Sequence, residues 1–250
     1  MAPAIHSWHS PGRGLEKSAV CAKLAHTAKD GTAYKKAVMK KSGRYKTSSM
    51  IEDQYEPGSR GRVLKNLPGI TTKKGIDTVE TREYLRVTDQ LLQHFDRKHC
   101  FTAEDICLMH QAWLGSIYKW AGHYRQVFIS KGGFSFSAPA FIPQLMDAFE
   151  KETLSRYTPC IFTAREAVIA ALATVHTELL LIHPFRDGNG RLARQLAVLM
   201  GFQAGLPFLD FRILRGVKRR SYFAAVAAGL DRNYAPMMNI FSDVVYCSER

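Results

Sequence analysis

The chain has 250 residues, of which 46% are hydrophobic and 23% charged, with a formal net charge of +13. That length can bury a sizeable core and suggests one domain plus an extension, or two small domains. No apolar run reaches the roughly 18 residues a membrane span needs, and Pro3, His6, His9, Pro11 and Arg13 interrupt any apolar signal core, so a cytoplasmic chain is expected. The cysteines Cys21, Cys100, Cys107, Cys160 and Cys247 are scattered, odd in number and form no CxxC pair, which reads as free thiols.

Much of the charge lies at the front. Residues 1–46 carry ten Lys/Arg against Glu16 and Asp30, a net +8. Two readings stand: a solvated or poorly ordered arm, or a handle for an acidic partner, membrane surface or nucleic acid. A basic helix is expected over 15–41, broken near Gly31, and a short helix over Thr47–Tyr55. Residues 57–76 are rich in Gly, Pro and Lys and read as a loop. Asp77–Asp96 carries Val79, Leu85, Leu91, Leu92 and Phe95 at helical spacing, and Thr102 opens a helix reaching about Ile117. The run Trp120-Ala121-Gly122-His123-Tyr124-Arg125 precedes a hairpin, Val127–Ser130 and Phe134–Ser137 around Lys131-Gly132-Gly133. Helices are expected over Ala140–Ser155, from Thr163 to Ile182, from Gly190 to Ala204, over Lys218–Leu230 and over Ala235–Tyr246. The fold class is therefore all-α, a helical bundle with one small β-hairpin.

One stretch, residues 183–194, concentrates chemistry: His183, Pro184, Phe185, Arg186, Asp187, Gly188, Asn189, Gly190, Arg191, Leu192, Ala193 and Arg194. His183 ends an apolar helix that Pro184 forbids to continue. A neutral imidazole is a natural general base toward a hydroxyl, or simply a helix-end group satisfied by a carbonyl. Asp187 offers a hard oxygen ligand for Mg²⁺, a role compatible with forming the turn beside Gly188. Gly188-Asn189-Gly190 permits positive φ and an anion-binding nest at a helix start. Arg191 and Arg194 share a helix face, and guanidinium forks match phosphate oxygens.

Together these residues resemble the signature of the Fic family, HPF-x-[D/E]-GNGR-x-x-R, with Arg186 in the free slot. The resemblance extends over roughly residues 77–245. It implies a Fic-type bundle organised as a basic arm (1–46), an inhibitory helix and linker (47–76) and a catalytic core (77–250). It implies a protein adenylyltransferase, with ATP as co-substrate and Mg²⁺ as cofactor. In that scheme His183 deprotonates a Ser, Thr or Tyr of a target protein, and Asp187 holds Mg²⁺. Phe185, Gly188, Asn189 and Gly190 complete the ATP site, with Arg191 on the β-phosphate and Arg194 on the γ-phosphate.

The hairpin then corresponds to a flap that pairs with the target's extended backbone: Val127, Phe128, Ile129, Ser130, Lys131, Gly132, Gly133 and Phe134. Upstream, Ser48 and Glu52 resemble the family's inhibitory motif, [S/T]-x-x-x-E-[G/N], with Asp53 departing from the last position. By resemblance Glu52 pairs with Arg194 and blocks the γ-phosphate. Ser49 and Glu52 also fit a capping box. Removal of AMP, transfer of another nucleotide or phosphate moiety, and a non-catalytic basic binding module are the competing readings. Homo-oligomerisation is a regulator the resemblance allows.

Overall fold

The computed structural model describes residues 50–131, 134–214 and 217–250, without the side chains of 217–219. The basic arm, the expected helix over 15–41, Ser48, Gly132 and Gly133 lie outside them. Seven helices carry the described fold: α1 (Lys73–His94), α2 (Ala103–Leu114), α3 (Ile142–Phe149), α4 (Arg165–Ile182), α5 (Asn189–Gln203), α6 (Val217–Ala228) and α7 (Ala235–Ser248). The hairpin pairs β1 (Ser130–Lys131) with β2 (Phe134–Ser135), antiparallel, with Ser130 opposite Ser135 and Lys131 opposite Phe134.

Local chemistry sets the helix ends. α2 starts in a capping box: the Thr102 hydroxyl accepts from the Asp105 amide, and the Asp105 carboxylate accepts from the Thr102 amide. α1 starts at Lys73, earlier than the expected Asp77, because the Thr72 hydroxyl caps it by accepting from the Gly75 amide at 3.2 Å. α3 continues through a π-helical turn, Glu150–Leu154, into Ser155–Tyr157, and Glu150 accepts from the Ala103 amide at the head of α2.

α4 is the central element. Val168, Ala171, Leu172, Ala173, Val175 and Leu179 are all buried, and it packs on α3, α5, α6 and α7. An all-round apolar helix must lie inside a bundle. α2 brings Ile106, Met109, Trp113 and Leu114 to the same core.

The expected helix over Thr47–Tyr55 shrinks, in its described part, to one 3₁₀ turn, Ile51–Asp53. The chain then extends, Tyr55 bridging Leu64 and the Glu56 amide donating to the Val63 carbonyl at 2.9 Å. Asn66 closes the following loop by accepting from the Ile70 amide and donating to the Ile70 carbonyl. Buried Val63 and a bond from the Leu67 amide to the Ile117 carbonyl fix this segment to the core. Among the described residues no helix is long and apolar enough to cross a membrane.

Candidate active site

The junction of α4 and α5 builds the site. His183 is the C-cap of α4 in the left-handed region, φ 53°, a conformation that costs a non-glycine residue about 1–2 kcal/mol. Its imidazole Nδ1 lies 3.1 Å from the Leu180 carbonyl. A carbonyl only accepts, so Nδ1 carries the hydrogen and Nε2 is left with its lone pair. The ring stacks on Phe136 with centroids 3.8 Å apart. Burial, aided by the Lys131 and Arg125 charges, pulls its pKa down to about 4. His183 is therefore a neutral acceptor at neutral pH, on the wall of a cavity of about 980 Å³.

The loop after it closes on itself. The Asn189 side chain accepts from the Phe185 amide at 2.9 Å and donates to the Phe185 carbonyl at 2.8 Å. Phe185 is fully buried and stacks at 3.9 Å on His110. His110 Nδ1 accepts from the Gly122 amide, so Nε2–H donates to the Asp187 carbonyl at 3.1 Å. Burial lowers the His110 pKa to about 4, which keeps it neutral in this role. Two expectations are corrected here. Phe185 does not line the cavity; it anchors the loop in the core. The Asn189 side-chain amide is occupied in shaping the loop, although the residue still borders the cavity.

Of the two motif glycines, only Gly188 needs positive φ (84°), and a Cβ there would sit 2.9 Å from the Trp113 ring. Gly190 is already helical, and a Cβ on it would meet nothing within 4 Å, so its value is an open approach to backbone. The Asn189 and Gly190 amides open α5 without intrahelical acceptors, which favours an anion there.

The cavity wall carries Lys131, Arg191, Arg194 and Arg220 against one carboxylate, Asp187. Asp187 is exposed, and its Oδ1 accepts from the Gly188 amide at 2.6 Å. Arg191 donates to buried Glu80 at 2.6 Å and lies 4.5 Å over the Trp113 ring. Leu180, Leu181, Leu214, Tyr222, Phe223 and Val226 form an apolar side. A cationic end beside an apolar end suits a ligand with a polyanionic tail and a flat apolar head. Among the described residues no three His, Cys, Asp or Glu side chains cluster as a metal site. A single exposed carboxylate in a cationic cavity still fits Mg²⁺, which takes one or two carboxylates and completes its shell from phosphate oxygens.

The hairpin flanks the cavity: Lys131, Phe134 and Phe136 line it, and the Lys131 ammonium lies 5.9 Å over Phe223 of α6. Phe128 is 80% exposed, while Val127 is buried at the hairpin's base.

Glu52 is placed differently from expectation. It is buried, but its carboxylate accepts from the Gln126 amide at 2.9 Å. Its own carbonyl accepts from Arg186 Nε at 2.8 Å, and Asp53 lies 4.0 Å from the same guanidinium. Among the described residues no ion pair joins Glu52 to Arg194, and Glu52 does not line the cavity. The expected pairing is corrected: packing of the upstream segment leaves Glu52 at the hairpin's base, behind the motif loop.

Arg125, His110, Glu80, Arg220 and Tyr222 join the site without any mark in the sequence, whereas Phe136 lies within the expected hairpin. The Trp120–Arg125 run was visible as a cluster, yet it carried no role until its partners were known.

Residues 90–200 match the Fic/DOC family. A protein adenylyltransferase of Bartonella henselae is 25% identical over 195 residues, spanning 72% of this chain and 34% of that protein. Protein adenylyltransferase Fic of Nematostella vectensis is 28% identical over 187 residues, spanning 74% and 40%. The Drosophila melanogaster protein of the same name is 27% identical over 165 residues, spanning 66% and 30%. The chain thus spans well under half the length of these curated relatives. Among solved structures, the N-terminal Fic domain of a Bartonella effector protein from Bartonella sp. AR 15-3 superposes with a TM-score of 0.67 at 22% identity, covering 83% of this chain and 97% of that one. BepC from Bartonella tribocorum, solved with bound AMPPNP, superposes with a TM-score of 0.64 at 22% identity, covering 78% and 97%. Family profile, relatives and fold agree with the motif loop: residues 90–200 of this chain match the Fic/DOC family.

Proposed function

We propose that the chain is a protein adenylyltransferase that moves AMP from ATP to a Ser, Thr or Tyr hydroxyl of a protein target. The observation that carries this is His183: a neutral imidazole, held through Nδ1 by Leu180, on the wall of a cavity bearing four cationic side chains. The adenylyltransferase names of the curated relatives support the same chemistry.

The target hydroxyl oxygen bonds to the α-phosphorus. Its proton passes to His183 Nε2. The bond from the α-phosphorus to the bridging oxygen breaks, and pyrophosphate leaves with the electron pair. Asp187 would hold Mg²⁺, which supplies positive charge to the phosphate oxygens when bound. Arg194, Lys131 and Arg220 offer further positive charge, and the first α5 amides offer fixed donors. Arg191 approaches the phosphates with its other edge held by Glu80. Catalysis is then mostly positioning plus charge stabilisation. The hairpin serves as the flap on which an extended target strand is laid.

Incubating the full chain with ATP and Mg²⁺ and measuring intact mass tests this. An adenylyl adduct on the chain or an added target, absent with His183→Ala, is the expected result. A folded wild-type chain that binds ATP yet yields no adduct on itself or on any protein of a cell extract contradicts it.

A further inference from the structure

The adenylyl-transfer reading leaves one buried charge unused. Arg125 has no exposed surface. Its guanidinium donates to three carbonyls on two separate parts of the site. Nε bonds the His183 carbonyl at 2.8 Å. The two terminal nitrogens bond the Val127 carbonyl at 2.8 Å and the Ser137 carbonyl at 2.7 Å. Val127 and Ser137 are the two legs of the hairpin. The Arg125 amide adds a bond to the Pro184 carbonyl at 2.9 Å. One planar fork therefore joins both flap legs to the backbone of His183.

The same hairpin delivers Phe136 onto the His183 ring, its amide bonded to the Ile129 carbonyl at 3.1 Å. A buried guanidinium is costly without a counter-charge. Glu52 supplies one: it acts electrostatically on Arg125 and is anchored on the adjacent Gln126 amide. Arg186, in the motif's free slot, grips the Glu52 carbonyl from the other side.

We propose that Arg125 is a positioning residue that locks the flap and His183 into one unit, and that Glu52, as its counter-charge, supports transfer instead of blocking it. This rests on the adenylyl-transfer reading for its activity consequences, but not for its structural ones. Lysine at 125 keeps the charge and loses the fork, so it can satisfy the carbonyls of only one part well. Glutamine at 52 keeps the shape and removes the counter-charge.

The test uses the full chain with Arg125→Lys and Glu52→Gln, and four readouts: hydrogen exchange over residues 127–137, affinity for Mg-ATP, self-adenylylation at saturating ATP, and its pH profile. Arg125→Lys is expected to raise flap exchange about tenfold or more and to lower transfer about 100-fold, the scale of a 1 Å misplacement. ATP affinity is expected to stay within about threefold, because Arg125 does not line the cavity. Loss of the Phe136 stack moves the acid limb of the profile upward toward the usual imidazole value. Glu52→Gln is expected to raise flap exchange and lower transfer about tenfold or less. If Arg125→Lys does not fold, Glu52→Gln decides alone.

Wild-type flap exchange and transfer in a folded Arg125→Lys chain would overturn the inference, as would a gain of transfer in Glu52→Gln. A wild-type chain that never transfers AMP refutes the adenylyl reading, while the exchange measurement still decides whether the fork holds the flap.

Discussion

The motif loop resembles its family pattern at every fixed position, the upstream acidic turn at all but its last, and the two end differently in structure. Residues 183–194 close through contacts between near neighbours: His183 to Leu180, Phe185 to Asn189, Asp187 to Gly188. Such a loop takes its turn from its own residues, and Arg125 and His110 then hold its carbonyls from outside. Glu52 has no such closure. Its carboxylate partner is the Gln126 amide, 74 positions away, and which cation it faces depends on how the Tyr55–Leu64 segment docks. A pattern therefore transfers geometry where its bonds are local, and transfers only residue types where they are not.

The largest expected effect falls on the loop. His183→Ala should lower self-adenylylation by about 10³-fold, within the range for loss of a general base, with ATP affinity nearly intact. Arg194→Ala should weaken Mg-ATP binding by roughly 10–100-fold, since one charge-assisted contact is worth about 1.5–3 kcal/mol, measurable by titration calorimetry. If Glu52→Ala tightened ATP binding by a similar factor, the upstream turn would act as a plug after all and the contrast would fail.

Glu80→Ala should destabilise the fold by about 3 kcal/mol in urea titration. It leaves Arg191 without its carboxylate and removes the acceptor of the Tyr118 hydroxyl. Gly188→Ala should cost about 1–3 kcal/mol, because it forces positive φ on a side chain that meets Trp113.

A pH dependence follows from three buried histidines. His183 and His110 sit near pKa 4 and His176 near 3, all lowered chiefly by burial. The neutral forms are favoured in the fold, so their stability is fully present above about 6.5 and is lost as pH falls toward 4 and 3. Each proton taken up on unfolding costs about 1.4 kcal/mol per pH unit within that window. The acid limb of kcat/KM should correspondingly lie well below 6.5.

The legibility of this chain in sequence follows the same division. The bundle was readable because α4 is apolar on nearly every face and α2 opens with a capping box, both local signals. The hairpin was readable from its glycine turn. The site's supporting residues were not. Arg125, Glu80 and His110 acquire their roles from carbonyls, a guanidinium and a ring far along the chain. Nothing in their neighbours distinguishes a buried arginine that holds a flap from one that lies on the surface. Phe185 shows the converse: a motif position suggested ligand contact, whereas its fully buried ring stacked on His110 makes it an anchor.

The most direct test follows one atom. ATP labelled either at the α-phosphate or at the γ-phosphate is given to the full chain with Mg²⁺, and protein-bound label is counted for wild type and His183→Ala. Label from the α-position alone, lost with His183→Ala, is the predicted result. Label from the γ-position, or α-label that persists without the imidazole, would contradict the assignment of this cavity to AMP transfer.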